Sequence, residues 1–181
     1  MSTPPDDVAT IQLRLRDLAQ LFNSLDPSPF HERDLDADAE DFIVGWAREH
    51  AKEREFQLDL IMAETPRPER AAGVEESLRH YFRMRSEAKE REFRQLMRRG
   101  RMSLIVGLLF LAACFFAGEL LVTVGYGTVA ELIRESLTIG GWVAMWRPLE
   151  IYLYDWWPLR DERRLLERLA RIRVRVILPA T

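Results

Sequence analysis

Apolar and polar positions alternate near the start of the chain. Ile11, Leu13 and Leu15 are interleaved with Gln12, Arg14 and Arg16, the period of two expected of a half-buried strand. Residues 1–7 read as a loose tail before it. A short helical turn is expected over Leu18 to Leu25. It stops at Asp26-Pro27-Ser28-Pro29, because proline fixes its own φ and pushes the residue before it toward extended backbone. Asp36 or Asp38 can cap a helix through about His50, with Phe42, Ile43, Trp46 and Ala47 on its inner face. Phe56, Leu58, Leu60 and Met62 then restore the period of two and predict a second strand.

A turn holding Pro66 and Pro68 leads into a long helix over Ala71 to Arg99, with Val74, Leu78, Tyr81, Phe82 and Ala88 toward one side. Gly100 is expected to loosen the joint after it. Near the end of the chain, Arg160 to Arg171 reads as a short amphipathic helix carrying Leu165, Leu166 and Leu169. Ile172, Val174, Val176 and Leu178 alternate as a third strand.

Between these parts the pattern changes. Met102 to Gly118 contains no charge, and after Glu119 the chain stays uncharged through Ala130. Ser136 to Trp146 is a second uncharged stretch, continued by RPLEIYLYDWWP. A membrane-spanning helix needs about 20 mostly apolar residues. The segment therefore predicts a two-helix transmembrane hairpin over 102–157, with spans at about 102–124 and 134–157 and a turn near Tyr126. A lone C-terminal strand would leave an apolar face and an unpaired edge in water. It is therefore expected to join the first two strands in one sheet, those two being parallel neighbours or near-neighbours across a helical crossover. The fold class is an α/β membrane protein. A small cytoplasmic domain of three short strands and a long juxtamembrane helix (1–101 and 158–181) receives the hairpin as an insertion.

Charge sets the orientation. The net charge of -3 hides 15 acids against six bases in residues 1–66, 11 bases against six acids in 67–101, and seven against three in 158–181. Arg94, Arg98, Arg99 and Arg101 precede the first span, and Arg160, Arg163, Arg164, Arg168 and Arg171 follow the second. Only Arg134 lies near the turn between them. The positive-inside rule places both termini in the cytoplasm of a multi-pass protein, and the composition suits a bacterial inner membrane. Arg98, Arg99, Arg101, Trp156, Trp157 and Arg160 are the expected residues of the lipid interface, anionic lipid attracting the arginines. The first residues are polar and acidic, unlike a cleavable signal peptide. The single cysteine, Cys114, precludes an internal disulfide.

Charges within the apolar region are the candidate contacts. Mirroring the hairpin about Tyr126 sets Glu119 level with Arg134, and Asp155 level with Arg98 and Arg99. Arg147 falls opposite Val106 and Gly107, where a charge needs company, and Glu150 is one helical turn away. Such a pair serves a partner subunit, an anionic lipid headgroup or an ion or substrate path; otherwise it is an internal pair whose arginine stem snorkels to the headgroups. Pro148 removes a helix hydrogen bond beside it and predicts a kink. Gly107, Gly118, Gly140 and Gly141 allow close helix packing, within the hairpin or between chains.

Catalytic chemistry is not visible. Asp34, Asp36 and Asp38 alternate as in a calcium loop. Ala39 stands where that loop needs glycine, and Gly45 where it needs glutamate. His31 with Glu32 and Asp34 has no second histidine nearby. No phosphate loop, dinucleotide fingerprint or GxSxG elbow occurs, and no nucleic-acid module. No cofactor is expected, and the expected partners are membrane lipids with a second copy or another membrane protein. The leading reading is a non-enzymatic accessory, scaffold or anchoring subunit. The alternatives are a homo-oligomeric channel or transporter component using Arg147 and Glu150, and a membrane-tethered sensor or enzyme.

Overall fold

Three strands, β1 (Val8–Leu15), β2 (Glu55–Met62) and β3 (Arg173–Ile177), form one parallel sheet in the order β1-β2-β3 in the computed structural model of the chain. The structure describes residues 8–29, 32–50, 55–64, 66, 68–125 and 127–178, without the side chains of residues 69 and 70. The C-terminal strand thus completes the sheet, with Leu58 in register with both Ile11 and Val174. Strands laid down in sequential order, joined by crossovers of the usual right hand, send both connections to the same face. The packing agrees. Ile11, Phe56, Leu58, Leu60 and Met62 share one buried cluster with Ile43, Ala47, Val74, Leu78, Phe82, Leu165, Leu166 and Leu169 from the helices.

The other face carries Thr10, Gln12 and Arg14, then Gln57, Asp59 and Ile61, then Arg173, Arg175 and Ile177. Parallel sheets are commonly covered on both faces and read as continuous apolar runs. Here the second face is mostly polar, which is why the strands alternate. The outer edge of β3 is closed by side chains: Val174 N donates to Glu75 Oε2 at 2.9 Å, and Arg79 Nε donates to the Ile172 carbonyl at 2.9 Å.

A 3-10 turn (Leu18–Leu21) lies where the short helical turn is expected. Helix α1 (Ala37–Glu49) starts at Asp36, whose side chain accepts from Asp38 N. Helix α2 runs unbroken from Pro68 to Thr123. Proline suits a first helical position, where its missing N–H is needed by no partner. Gly100 lies inside α2 and does not loosen it, contrary to the sequence expectation. A glycine costs only about 1 kcal/mol relative to alanine in a helix, too little to break one with strong helix formers on both sides. Helix α3 (Gly127–Glu150) begins earlier than position 134, after a turn in which Gly125 and Gly127 adopt φ of +88° and +62°. Tyr126, the expected centre of the turn, lies outside the described residues. A π-helical turn (Ile151–Asp155) leads from α3 into α4 (Trp156–Leu169), which starts before Arg160.

The chain divides into two compact units, Met1–Lys89 with Asp161–Thr181, and Glu90–Arg160. The division falls at Lys89, so residues 90–101 group with the apolar segment and not with the sheet. In the second unit α2 and α3 approach closely. A Cβ on Gly118 would lie 2.8 Å from Arg134 Cγ, one on Gly141 2.7 Å from Leu111 Cδ1, and one on Gly107 3.2 Å from the Ala144 carbonyl oxygen. Rising positions on α2 meet falling positions on α3, the sense of antiparallel neighbours. Nothing in the chain lies within 4 Å of the Gly140 Cβ position, so Gly140 takes no part in the contact between α2 and α3. Successive helical residues point about 100° apart, so only Gly141 of the pair faces α2. Among the described residues, α2 is the one helix long and apolar enough to cross a membrane, and 17% of its most apolar window is buried.

Candidate functional sites

Around Arg147 the second unit gathers three charges. Its Nη1 lies 2.8 Å from Glu150 Oε2 and 3.3 Å from Asp155 Oδ2. Glu150 is three residues on, one helical turn away. Asp155 is eight residues on, which in a regular helix would put it about 80° off that face. The π-helical turn closes i→i+5 rings and takes up roughly one extra residue, which sets the phase back by about 100°. Asp155 thereby returns to Arg147, and not to Arg98 or Arg99 as the mirrored hairpin suggests. The π turn lies just past Pro148, and no sequence period announces it.

Nearer the glycine turn, Arg134 Nη1 lies 3.8 Å from Glu119 Oε1. Arg98, Arg99, Arg101 and Arg160 are exposed. Trp156 Nε1 donates to the Tyr152 carbonyl at 2.9 Å, and the Arg160 guanidinium sits 5.4 Å from the Trp156 ring centre. Trp157 stays 59% exposed. Large apolar side chains cover the same unit: Leu109, Phe116, Leu120, Trp142, Val143 and Trp146 are all more than 60% exposed.

The first unit holds two polar nodes that no sequence motif marks. Glu40 of α1 accepts from Tyr81 Oη at 2.6 Å and from Arg85 Nε at 2.9 Å, tying α1 to α2. Burial, and next the hydrogen bond to Glu40, hold the Tyr81 phenol far above its ordinary range. On the polar face of the sheet, Asp59 is almost fully buried beneath Arg175, which donates to both its oxygens at 2.9 and 2.8 Å, while Gln57 Nε2 donates at 3.0 Å. The fork-to-fork geometry raises the Arg175 pKa. One signal was available: Asp59 and Arg175 both occupy outward positions of paired strands.

In the acidic loop, Asp26 accepts from Ser28 N at 2.9 Å and Asp34 N at 2.8 Å. The Asp34 amide first, and the Ser28 amide next, hold its carboxyl at about 2, below the ordinary 3.8. A depressed folded-state pKa contributes stability that is fully present above pH ~3.8 and is lost as pH falls toward about 2. The amide resonances of Ser28 and Asp34 are therefore expected to titrate together with a midpoint of about 2. A common midpoint near 3.8 would show that the carboxylate does not hold this loop. His31 lies outside the described residues, and no group of three or more His, Cys, Asp or Glu among those described is placed to hold a metal ion.

No protein-family model, curated protein or solved structure matches the chain.

Proposed function

We propose that residues 90–160 enter a lipid bilayer as a two-helix transmembrane hairpin and anchor the α/β unit at the cytoplasmic face. On this reading the protein is a non-enzymatic accessory or scaffold subunit of a bacterial inner-membrane complex, with both termini cytoplasmic. The observation that carries it is the exposed apolar surface of α2 and α3. Soluble monomers seldom expose contiguous apolar patches beyond a few hundred Å². Here Leu109, Phe116 and Trp146 are each two-thirds exposed or more, while the glycine side of α2 is packed. Charges at Glu131, Arg134 and Glu135 keep the first turns of α3 near a surface and leave Ser136 onward for the apolar region.

Two readouts test this. The chain should sediment with membranes, resist alkaline extraction and dissolve only in detergent. Single cysteines at Ser2 and Thr181 in a Cys114→Ser background should react with an impermeant maleimide from the same side of sealed vesicles. Labelling from opposite sides, or a chain that stays dissolved without detergent, removes the proposal.

A second reading, a homo-oligomeric channel or transporter component, is favoured by the exposure of Arg147 and Glu150, 61% and 44% at their side chains. Charges on a span are stabilised by burial against protein or water, and neighbouring copies would supply it. A monomeric mass in mild detergent excludes that reading.

A further inference from the structure

At the amino ends of β2 and β3 a cleft of about 360 Å³ is lined by Glu55, Phe56, Arg168, Arg171 and Arg173. All five belong to the first unit, so the cleft is independent of how the apolar unit is solvated. Among the described residues, three arginines and one carboxylate line the cleft.

The floor of the cleft is built. The Arg168 guanidinium lies 4.3 Å from the centre of the Phe56 ring, a cation–π contact. Phe56 is buried and meets Trp46 edge-on at 6.4 Å, and Trp46 stacks on His50 at 3.8 Å. Arg168 therefore rests on a rigid aromatic column. Arg173 pairs with Glu55 at 3.1 Å, with both side chains more than half exposed. Such a solvent-screened pair is held by little and exchanges partners readily. Among the described residues the Arg171 guanidinium has no ion-pair or hydrogen-bond partner. Like charges this close repel, and an anion held between them offsets the repulsion.

We infer that this cleft binds a phosphate monoester group. A phosphomonoester carries about −1.5 to −2 charges at neutral pH and presents three acceptor oxygens, which suits a cleft lined by guanidinium forks. The group can come from a soluble phosphate compound or from a lipid headgroup such as phosphatidic acid.

The test is calorimetric titration of the full-length chain in mild detergent with inorganic phosphate, against chloride at matched ionic strength. Saturable phosphate binding is expected. Arg171→Ala and Arg173→Ala should each weaken it about tenfold, the loss of one charge-assisted contact. Arg164→Ala, which removes another exposed arginine of α4 outside the cleft, should leave it unchanged. No saturable heat, or an equal loss in all three variants, overturns the site. Repeating the titration in phosphatidylcholine nanodiscs with about one part in ten of phosphatidic acid identifies the source. Suppression of the phosphate response assigns the site to the lipid headgroup, and an unchanged response assigns it to a soluble ligand. Neither arm depends on a partner subunit, so failure here leaves the anchoring proposal standing.

Discussion

Leu109→Arg is expected to lower the membrane-integrated fraction of the protein by about a hundredfold or more. Leu109 sits in the middle of the uncharged run of α2 and is 67% exposed. On insertion scales arginine near a helix centre costs about 2.5–3.5 kcal/mol, whereas leucine contributes about −0.3 to −0.6, so the exchange costs about 3–4 kcal/mol. Each 1.4 kcal/mol is about a factor of ten. In water the same exchange at an exposed position would move stability by only about 0.5 kcal/mol either way. The two solvents therefore give clearly different outcomes. Alkaline extraction of membranes carrying the wild type and the variant measures the difference, and equal retention would mean that lipid does not surround this face.

The second large effect lies in the sheet unit. Phe82→Ala should destabilise that unit by about 3–5 kcal/mol. Phe82 is fully buried, is among the largest side chains with no exposure, and packs edge-on to Tyr81 at 5.5 Å between ring centres. Truncation removes its contacts and leaves a cavity that rigid helices on one side and a sheet on the other cannot close. Denaturant unfolding followed by tryptophan fluorescence should show the midpoint falling while the slope stays the same. A loss below about 1 kcal/mol would show that the core is loosely packed around this ring.

Much of the core is legible in the sequence. Ile11, Phe56, Leu58, Leu60 and Met62 announce themselves by period, because a strand with one wet face must alternate. Val74, Leu78 and Phe82 do so by helical spacing. The joining of β3 to the N-terminal strands followed from the cost of an unpaired edge. Gly100 was misleading, since its close approach to Ile151 and not any looseness of the helix is what needs a glycine there. Gly140 and Gly141 looked equivalent as letters, and only the rotation of α3 separates them.

Local sequence determined the elements, their apolar faces and the presence of a long uncharged stretch, because each depends on residues a few positions apart. The tertiary structure alone decided which charges meet. Asp59 with Arg175, Glu40 with Tyr81 and Arg85, and Arg168 over Phe56 are pairs separated by tens of residues or more, joined by strand register and helix docking. Asp155 with Arg147 is local in number yet depended on a widened turn that no apolar period encodes. Polar partners in a fold are chosen by geometry after the apolar pattern has closed the core, so they are the last thing a linear reading can recover.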